Sequence, residues 1–351
     1  MIEKRKNEHI EICLGKDTKA HHNPWDDLDM VHRALPEVDF DAIDLRTELF
    51  GVELKAPIII SAMTGGTQLG KRINENLAIA AEKLGIGMGV GSQRPYLVDR
   101  SLADTYSVVK EHKVPLLFGN IGAPQLIDQK RSSGLNRKQL EKLMIMLDAD
   151  ILAVHLNFLQ EAVQPEGDMR AEGLLSAISS LAKGFPIIVK ETGAGISRGM
   201  ALKLKRAGVM GIDVGGMGGT SFAAVEKYRA EARGDNRKAE LGDIFWDWGI
   251  PTPASVLEAS VGTPVIATGG IRNGLDAAKA LALGASAVGI AGELLKPASE
   301  SPEAVTEKLE DIIHQLKVAM FLVGARNVYT MKNTRVILHG RLREWFEQME
   351  V

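Results

Sequence analysis

Eight short apolar segments, each followed by a helical pattern, constrain the fold of this chain more than any other feature of its sequence. The segments are rich in Ile and Val and lack polar alternation, which is typical of parallel strands buried on both faces. Because strands and helices alternate, we predict an α/β fold, a TIM (β/α)8 barrel, with an open doubly wound sheet as the alternative. The predicted strands cover residues 56–63, 85–91, 114–120, 150–157, 185–190, 209–214, 263–268 and 285–290.

The helical patterns between these segments carry start and stop signals that agree with the alternation. Asn273 and Ser301 are suited to cap a helix N-terminus. Gly85 and Gly284 follow helical patterns, at the position where a left-handed residue commonly closes a helix. The predicted helices cover residues 71–84, 137–147, 173–183, 198–207, 274–282 and 303–322.

The rest of the chain predicts an extension and one long connection around a single domain. Residues 1–55 precede the first strand, and we expect them to contribute to the active site of a barrel formed by residues 56–351. The connection at residues 221–262 is longer than most loops, and long connections commonly form lids, partner surfaces or insertions. Its charged and Trp-containing segment, residues 227–249, carries no motif that we can interpret.

Charge and cysteine content exclude several classes of protein. Lys plus Arg number 42 and Asp plus Glu number 45, a balance that does not predict binding to nucleic acid or to an acidic membrane. The longest apolar runs are shorter than the roughly 18 residues of a membrane span, and the charged N-terminus does not resemble a signal peptide. The single cysteine, Cys13, excludes an internal disulfide and a Cys-rich zinc site. We therefore expect a cytoplasmic protein with no nucleic-acid or membrane partner.

Glycine-rich sequences end the seventh and eighth predicted strands, as TGGIR at residues 268–272 and GIAG at residues 289–292. In TIM barrels the loops after these two strands commonly bind phosphate. Glycine lets backbone N–H groups approach phosphate oxygens, and Arg272 adds a cation. The alternative is that these glycines only serve tight turns, but their position at consecutive strand ends favours phosphate binding.

Residues at the other strand ends favour a flavin over a small phosphorylated sugar. They offer small side chains, hydroxyls and one amide that suit a flat ring and its heteroatoms: Ala62, Met63, Thr64, Ser92, Asn120 and Thr220. Lys190 ends an apolar strand, and a buried lysine is unfavourable unless it is paired. Beside a flavin, Lys190 would stabilise the negative charge of the reduced ring. The alternatives are an ion pair with Glu191 and a Schiff-base lysine of an aldolase-type barrel.

The fourth strand ends in an unusually polar sequence, HLNFLQE at residues 155–161. His155 and Asn157 share one face of an extended strand, because side chains alternate with period two. A neutral imidazole and an amide suit diphosphate oxygens, and Glu161 suits a Mg²⁺ ion that bridges them, with Gln160 beside it. The alternatives are that His155 is a histidine of the core and that Glu161 is a solvated loop carboxylate.

Cations elsewhere in the sequence are suited to cover a highly charged anion. Arg5, Lys6 and His9 lie together near the N-terminus. Arg94 follows the second strand, with the neutral Gln93 directly before it. On its own, a charged terminus is usually solvated. Together with the polar cluster at residues 155–161, these cations favour a diphosphate substrate.

Taken together, these motifs resemble the type 2 isopentenyl diphosphate isomerase family over nearly the whole chain. The matching motifs, in order, are RKNEH, SAMTGG, GSQR, GNIG, HLNFLQE, VKETGAGIS, DVGGMGGTSF, ATGGIRNG and GIAG. The resemblance implies a non-redox isomerase of isoprenoid biosynthesis that interconverts isopentenyl and dimethylallyl diphosphate on a TIM barrel. It also implies FMN as the acid–base cofactor, NADPH as its reductant, Mg²⁺, and assembly as a homo-oligomer, a tetramer or an octamer.

The resemblance also assigns roles to residues of this sequence. Lys190, Gln160 and His155 would be catalytic, and Glu161 would bind the metal. The implied FMN contacts are Ala62, Met63, Thr64, Ser92, Asn120, Lys190, Thr220, Gly270, Ile271, Arg272, Ala291 and Gly292. The implied substrate contacts are Arg5, Lys6, His9, Ser92, Gln93, Arg94, His155, Asn157 and Gln160.

Three other functions are open to such a chain. An FMN-dependent 2-hydroxy acid oxidase or dehydrogenase shares this barrel, but such enzymes typically place a His and an Arg at the substrate carboxylate. We find no comparable pair late in the sequence. A phosphosugar isomerase or aldolase would use Lys190 as a nucleophile. A non-catalytic flavin or phosphate binder would not need the polar cluster at residues 155–161.

Overall fold

The eight predicted strands form a closed parallel barrel in the computed structural model, which describes residues 2–349. The barrel strands follow one another around the barrel in chain order, and the last strand, Ala287–Ile290, pairs with the first, Ile58–Ile60, to close it. This confirms the TIM barrel and excludes the open doubly wound sheet. In chain order the strands are β1 (Leu28–Met30), β2 (Thr47–Leu49), β3 (Val52–Leu54), β4 (Ile58–Ile60), β5 (Gly87–Gly89), β6 (Leu117–Gly122), β7 (Ile151–Leu156), β8 (Ile187–Glu191), β9 (Gly211–Asp213), β10 (Val265–Thr268), β11 (Ala287–Ile290) and β12 (Val336–Leu338).

The predicted helices occur between the barrel strands, and their ends carry the expected signals. The Asn273 side chain accepts a hydrogen bond from the backbone N–H of Asp276, and Gly85 closes its helix with φ of 64°. The helices of the described chain are α1 (Ile2–Gly15), α2 (Gln68–Leu84), α3 (Arg94–Val98), α4 (Asp104–Ser107), α5 (Arg137–Leu147), α6 (Phe158–Val163), α7 (Leu174–Ala182), α8 (Arg198–Arg206), α9 (Phe222–Ala232), α10 (Asn236–Ile244), α11 (Thr252–Ala259), α12 (Gly274–Ala282), α13 (Gly292–Glu300), α14 (Pro302–Leu322) and α15 (Gly340–Gln348). Among residues 2–349, no helix is both long and apolar enough to cross a lipid bilayer.

A hairpin of the N-terminal extension plugs one end of the barrel. Strands β2 and β3 pair antiparallel, and Leu49 and Leu54 join a cluster of buried side chains inside the barrel. Phe50, at the tip of the hairpin, approaches Gly211 so closely that a Cβ there would lie 2.6 Å from its ring. Because apolar side chains fill this end, the carboxyl ends of the strands are left to form the functional site.

The rest of the N-terminal extension runs along the barrel to its carboxyl end. Helix α1 contacts α9 and α13, and β1 pairs antiparallel with β12. Between α1 and β1 lies a segment that we call the strap, residues 18–27. Its backbone bonds to the loop after β9, through Ala20 N–H to Gly219 O (2.8 Å) and Ser221 N–H to Thr18 O (2.7 Å). The extension therefore lies over the mouth of the barrel.

Candidate active site

A cavity of about 590 Å³ opens at the carboxyl ends of the strands, beneath α1 and the strap. This volume lies within the roughly 300–1,000 Å³ of most ligand pockets. Of the site residues predicted from the sequence, all but Gln93 line it: Arg5, Lys6, His9, Ala62, Met63, Thr64, Ser92, Arg94, Asn120, His155, Asn157, Gln160, Glu161, Lys190, Thr220, Gly270, Ile271, Arg272, Ala291 and Gly292. Residues that lie far apart in the sequence therefore share one cavity.

Gln93 is the exception, because its side chain is fully buried outside the cavity. Its amide donates a hydrogen bond to Leu143 O (3.1 Å) and accepts one from the backbone N–H of Asn120 (2.8 Å). The side chain of Gln93 therefore does not line the cavity, and its predicted substrate contact stays a prediction. Gln93 instead ties α5 to β6 and helps to fix the position of Asn120.

The glycine loops after β9 and β10 lie against each other at one side of the cavity. Gly269 and Gly270 have φ values of 121° and 73°, which side chains rarely adopt. A Cβ on Gly219 would lie only 2.7 Å from the backbone nitrogen of Gly270. We call residues 269–272 and 219–220 the cradle. Its glycines allow the close backbone packing that a phosphate-binding loop requires.

The cradle also presents polar backbone groups that suit a phosphate. In the described part of the chain, neither the N–H of Gly270 nor that of Ile271 has a hydrogen-bond acceptor, although both residues line the cavity. Unpaired N–H groups in a concave site are favourable partners for anionic oxygens. The residues present therefore fit the phosphate group of a nucleotide cofactor such as FMN.

Arg272 does not point a free cation at the cavity. Its guanidinium donates to Asp276 (Nε to Oδ2, 2.8 Å) and to Asp26 of the strap (NH1 to Oδ2, 3.0 Å; NH2 to Oδ1, 2.6 Å). Hydrogen bonds with Asp276 and Asp26 raise the pKa of Arg272 further above its ordinary value. The two carboxylates neutralise much of its charge, so its predicted contact with phosphate stays a prediction.

Lys190 is the penultimate residue of β8, and its side chain is mostly buried in the cavity wall. Its ammonium donates to the backbone O of Glu191 (2.8 Å), while the Glu191 carboxylate accepts the N–H groups of Thr192, Gly193 and Ala194. The Lys190 ammonium and the Glu191 carboxylate therefore do not bond to each other, so the alternative ion pair is not formed. Burial raises the pKa of Glu191 to about 7, against the opposing effect of those N–H groups and Lys190. Lys190 remains available to a ligand.

His155 is a neutral group with a defined tautomer. Its Nδ1 lies 2.8 Å from Oδ1 of Asn120, whose Nδ2 donates to Val90 O (3.0 Å). Since the Asn120 oxygen accepts, His155 Nδ1 carries the proton and Nε2 is left as an acceptor. Burial, together with the charges of Lys190 and Lys6, lowers the pKa of His155 to about 3. The side chain can thus orient a ligand, or accept a bond at Nε2, without adding charge.

Glu161 is a buried carboxylate on α6 and not a solvated loop residue. It accepts hydrogen bonds from Asn157 Nδ2 (2.9 Å), from the Gln164 amide and from Asp168 N–H (2.7 Å). Burial raises its pKa, which marks a site where a cation would be favourable.

Beside Glu161, the buried Oδ1 of Asn157 has no hydrogen-bond partner. Within residues 2–349, no group of three His, Cys, Asp or Glu side chains surrounds a metal position. A Mg²⁺ ion commonly takes one or two carboxylates and completes its shell with water and phosphate oxygens. The donors present therefore fit a metal that binds together with a diphosphate, but not an all-protein metal cage.

The sequence analysis missed a buried charge network on α9. Glu226 is fully buried and accepts hydrogen bonds from Gln160 Nε2 (2.8 Å) and from His9 Nε2 (3.0 Å). Burial opposes its ionisation, but the hydrogen bond and charge of His9 and the charge of Arg229 hold its pKa below the ordinary value. The network joins the N-terminal helix to a predicted catalytic residue. One feature of the sequence could have indicated this network. Glu226 and Arg229 lie three residues apart in an alanine-rich helical segment that carries no recognised motif.

Arg229 extends this network to the surface. Its fully buried guanidinium pairs with Glu226 and also donates to Glu166 (2.8 Å) and Glu8 (3.1 Å). The attraction of these carboxylates outweighs the effect of burial and raises the pKa of Arg229. Since Glu8 belongs to α1, the network fastens that helix over the cavity.

Helix α1 brings Arg5, Lys6 and His9 to the mouth of the cavity. Burial and the charge of Arg5 lower the pKa of Lys6 to about 8. Across the mouth, Arg94 forms an ion pair with Asp168 (2.9 Å). Within the described chain, neither Arg5 nor Lys6 forms an ion pair, so this side of the mouth suits an anionic ligand.

Comparison with known proteins gives three consistent results. The profile of a family described as FMN-dependent dehydrogenase matches residues 5–106 and 174–338. The chain is similar to the isopentenyl-diphosphate delta-isomerase of Thermoplasma acidophilum, with 51% identity over 99% of each chain. It is similar to the enzyme of that name from Archaeoglobus fulgidus, with 46% identity over 98% of each chain.

A solved structure agrees with the architecture of the barrel. A mandelate oxidase variant with a monooxide FMN adduct superposes with a TM-score of 0.61 at 18% identity, covering 93% of this chain and 95% of the oxidase. Identity this low supports the shared fold alone. The segment that the dehydrogenase profile leaves unmatched, residues 107–173, contains the polar cluster at residues 155–161.

Proposed function

The chain belongs to the family of the isopentenyl-diphosphate delta-isomerases, built on the FMN-dependent dehydrogenase barrel, and from this premise we propose that it interconverts isopentenyl and dimethylallyl diphosphate. The observation that supports the proposal best concerns residues 155–161. Their polar members, His155, Asn157, Gln160 and Glu161, line the same cavity as the cradle and α1. All seven residues nevertheless lie in the segment that the dehydrogenase profile leaves unmatched. The barrel is thus shared with the dehydrogenases, while the polar cluster at residues 155–161 is not part of that match.

We propose that FMN binds with its phosphate at the cradle and Ala291–Gly292, and its ring system beside Met63, Asn120 and Lys190. Reduced FMN, primed by NADPH, supplies a proton donor and acceptor for moving the double bond without net oxidation. The Lys190 ammonium stabilises negative charge on the cofactor, because a fixed cation in a water-excluding site acts with little screening.

The diphosphate of the substrate would bind at the other side of the mouth. Arg5, Lys6 and Arg94 supply positive charge there, and His9 lies on the same helix as the first two. Glu161 and Asn157 Oδ1 would hold Mg²⁺ against the diphosphate oxygens, since hard oxygen donors are the ligands this ion prefers. Ser92 would lie between the cofactor and the substrate and would contact one of them through its hydroxyl.

Two neutral side chains would orient the reacting groups. His155 is held by Asn120 and keeps Nε2 as an acceptor, and Gln160 is held by Glu226. Neither side chain needs to change charge for this role. Helix α1 lines the mouth of the cavity, and in this proposal it limits the access of water to a reactive cationic intermediate.

We further propose a cytoplasmic location and assembly as a tetramer or octamer. The single cysteine and the near-balanced charge support a reducing, aqueous compartment. The assembly rests on the resemblance of the motifs to the isomerase family.

An anaerobic assay with isopentenyl diphosphate, Mg²⁺ and chemically reduced FMN tests the proposal. We expect dimethylallyl diphosphate to form with no net consumption of reductant, and no product when FMN stays oxidised or Mg²⁺ is chelated. In a parallel assay with NADPH as the reductant, consumption of one NADPH per product would instead indicate a redox enzyme. Protein that cannot be reconstituted with FMN would contradict the cofactor assignment.

A further inference from the structure

The strap holds the carbonyl groups of the cradle through two of its side chains. The Trp25 indole Nε1 donates to Gly269 O (2.9 Å), and Asn23 Nδ2 donates to Gly270 O (2.8 Å). The two donors are coupled, because Asn23 Oδ1 accepts the backbone N–H of Trp25 (3.1 Å). Neither residue belongs to a motif recognised in the sequence.

The strap itself is anchored from below. Lys279 on α12 is nearly fully buried and donates to the backbone O of Trp25 (2.7 Å), whose side chain is fully buried. Asp26 adds the ion pair with Arg272. These bonds fix Trp25 at both its backbone and its indole, so its donor group is rigidly placed.

Fixing a carbonyl group also fixes the N–H of the same peptide unit. In a planar trans peptide the C=O and the N–H point in opposite directions. The Gly269 carbonyl shares its peptide unit with the N–H of Gly270, and the Gly270 carbonyl shares its unit with that of Ile271. Because the strap binds both carbonyls, both N–H groups are turned away from the strap. Neither of these two N–H groups has an acceptor in residues 2–349.

Glycine cannot set this orientation by itself. Gly269 and Gly270 have no Cβ and can adopt many backbone conformations, so without external bonds the two peptide units would be free to rotate. We propose that Asn23 and Trp25 are positioning residues, which orient the N–H groups of Gly270 and Ile271 toward the phosphate of the cofactor. This proposal rests on the assignment of FMN as the ligand of the cradle.

The test compares FMN with riboflavin, which has the same ring and chain but lacks the phosphate. Dissociation constants are measured by flavin fluorescence for the wild type, Trp25→Phe and Asn23→Ala. Losing one hydrogen bond of this kind weakens binding by roughly two- to thirteenfold. We expect a loss in this range for FMN and less than about twofold for riboflavin in both variants.

Trp246→Phe is the matched control. The Trp246 indole also donates to a strap carbonyl, Lys19 O (2.8 Å), but it does not touch the cradle carbonyls. We expect it to leave both dissociation constants within about twofold of wild type. If Trp25→Phe fails to fold, Asn23→Ala answers the same question at a half-buried position.

Three results would overturn the proposal. They are unchanged FMN binding in both strap variants, equal weakening of FMN and riboflavin, and an equal effect in the control. Inorganic phosphate, titrated by calorimetry, separates this proposal from the cofactor assignment. If the wild type binds phosphate but not FMN, the cofactor assignment is contradicted. Weaker phosphate binding by the strap variants would then still support the positioning role. Wild type that binds neither contradicts both.

Discussion

Replacement of the buried carboxylate Glu226 by glutamine should destabilise the protein far more than its small change in volume implies. In the wild type this carboxylate accepts hydrogen bonds from His9 and Gln160 and pairs with Arg229. The Glu226 side chain has no access to solvent. Glutamine keeps one acceptor oxygen but brings an NH2 group into a space that is surrounded by donors. The variant therefore loses the negative charge and gains an unfavourable donor–donor contact.

The magnitude follows from the partners that remain. Removing one member of a buried ion pair typically costs about 3–5 kcal/mol. Arg229 retains Glu166 at 2.8 Å and Glu8 at 3.1 Å, so its charge is still compensated. We therefore expect the lower end of the range, a decrease of about 3 kcal/mol in the free energy of unfolding.

Urea unfolding measures this difference, with Glu231→Gln as the matched control on the same helix. Glu231 is about half exposed and lies 3.9 Å from Lys227, a geometry that contributes about 0–1 kcal/mol. Hydrogen exchange gives a second readout, because α1 loses part of its anchor when Glu226 is neutralised. We expect faster exchange of the α1 amides in Glu226→Gln only. A free energy of unfolding within about 0.5 kcal/mol of wild type, with unchanged exchange in α1, would refute the reasoning.

Three further predictions concern ligand binding and turnover. Lys190→Met should lower kcat by roughly 10²–10³-fold, as expected for loss of a preorganised electrostatic contact, and wild-type kcat in that variant would remove its proposed role. Glu161→Gln should bind FMN normally yet need at least about tenfold more Mg²⁺ for half-maximal activity, and an unchanged Mg²⁺ titration would contradict the metal assignment. Lys6 is charged below its pKa of about 8 and neutral above it, so KM for the diphosphate should rise above that pH. Lys6→Arg should keep KM flat to higher pH, and a wild-type KM that is flat to pH 9.5, roughly one and a half units above that pKa, would contradict the role of this charge.

The barrel and most of the cavity lining were predictable from the sequence, because they are local properties of the chain. A strand buried on both faces must be apolar along its length, and the polar residues that follow it necessarily lie at one end of the barrel. The order of the strands then brings these ends together. The boundary of the extension at residue 55 stays a prediction.

The features that the sequence does not show depend on side-chain direction and on long-range pairing. Gln93 lies between two cavity-lining neighbours, Ser92 and Arg94, but its own side chain turns into the core. Glu226 has partners in α1 and α6, and nothing in its local sequence specifies those contacts. Trp25 is a similar case, since its acceptor follows β10. Local patterns do not encode such pairs.

The pairing of β1 with β12 has a consequence for the order in which this protein matures. Strand β1 follows the strap directly, and its partner lies near the other end of the chain. During synthesis the strap leaves the ribosome well before β10 and β12. The strap binds the loop that follows β10, and β12 pairs with β1, the strand that directly follows the strap. Contacts between such distant segments form late, because chain entropy opposes loop closure until the intervening elements have folded. The cofactor pocket is therefore among the last parts to be completed, and loading with FMN should follow the pairing of β1 with β12.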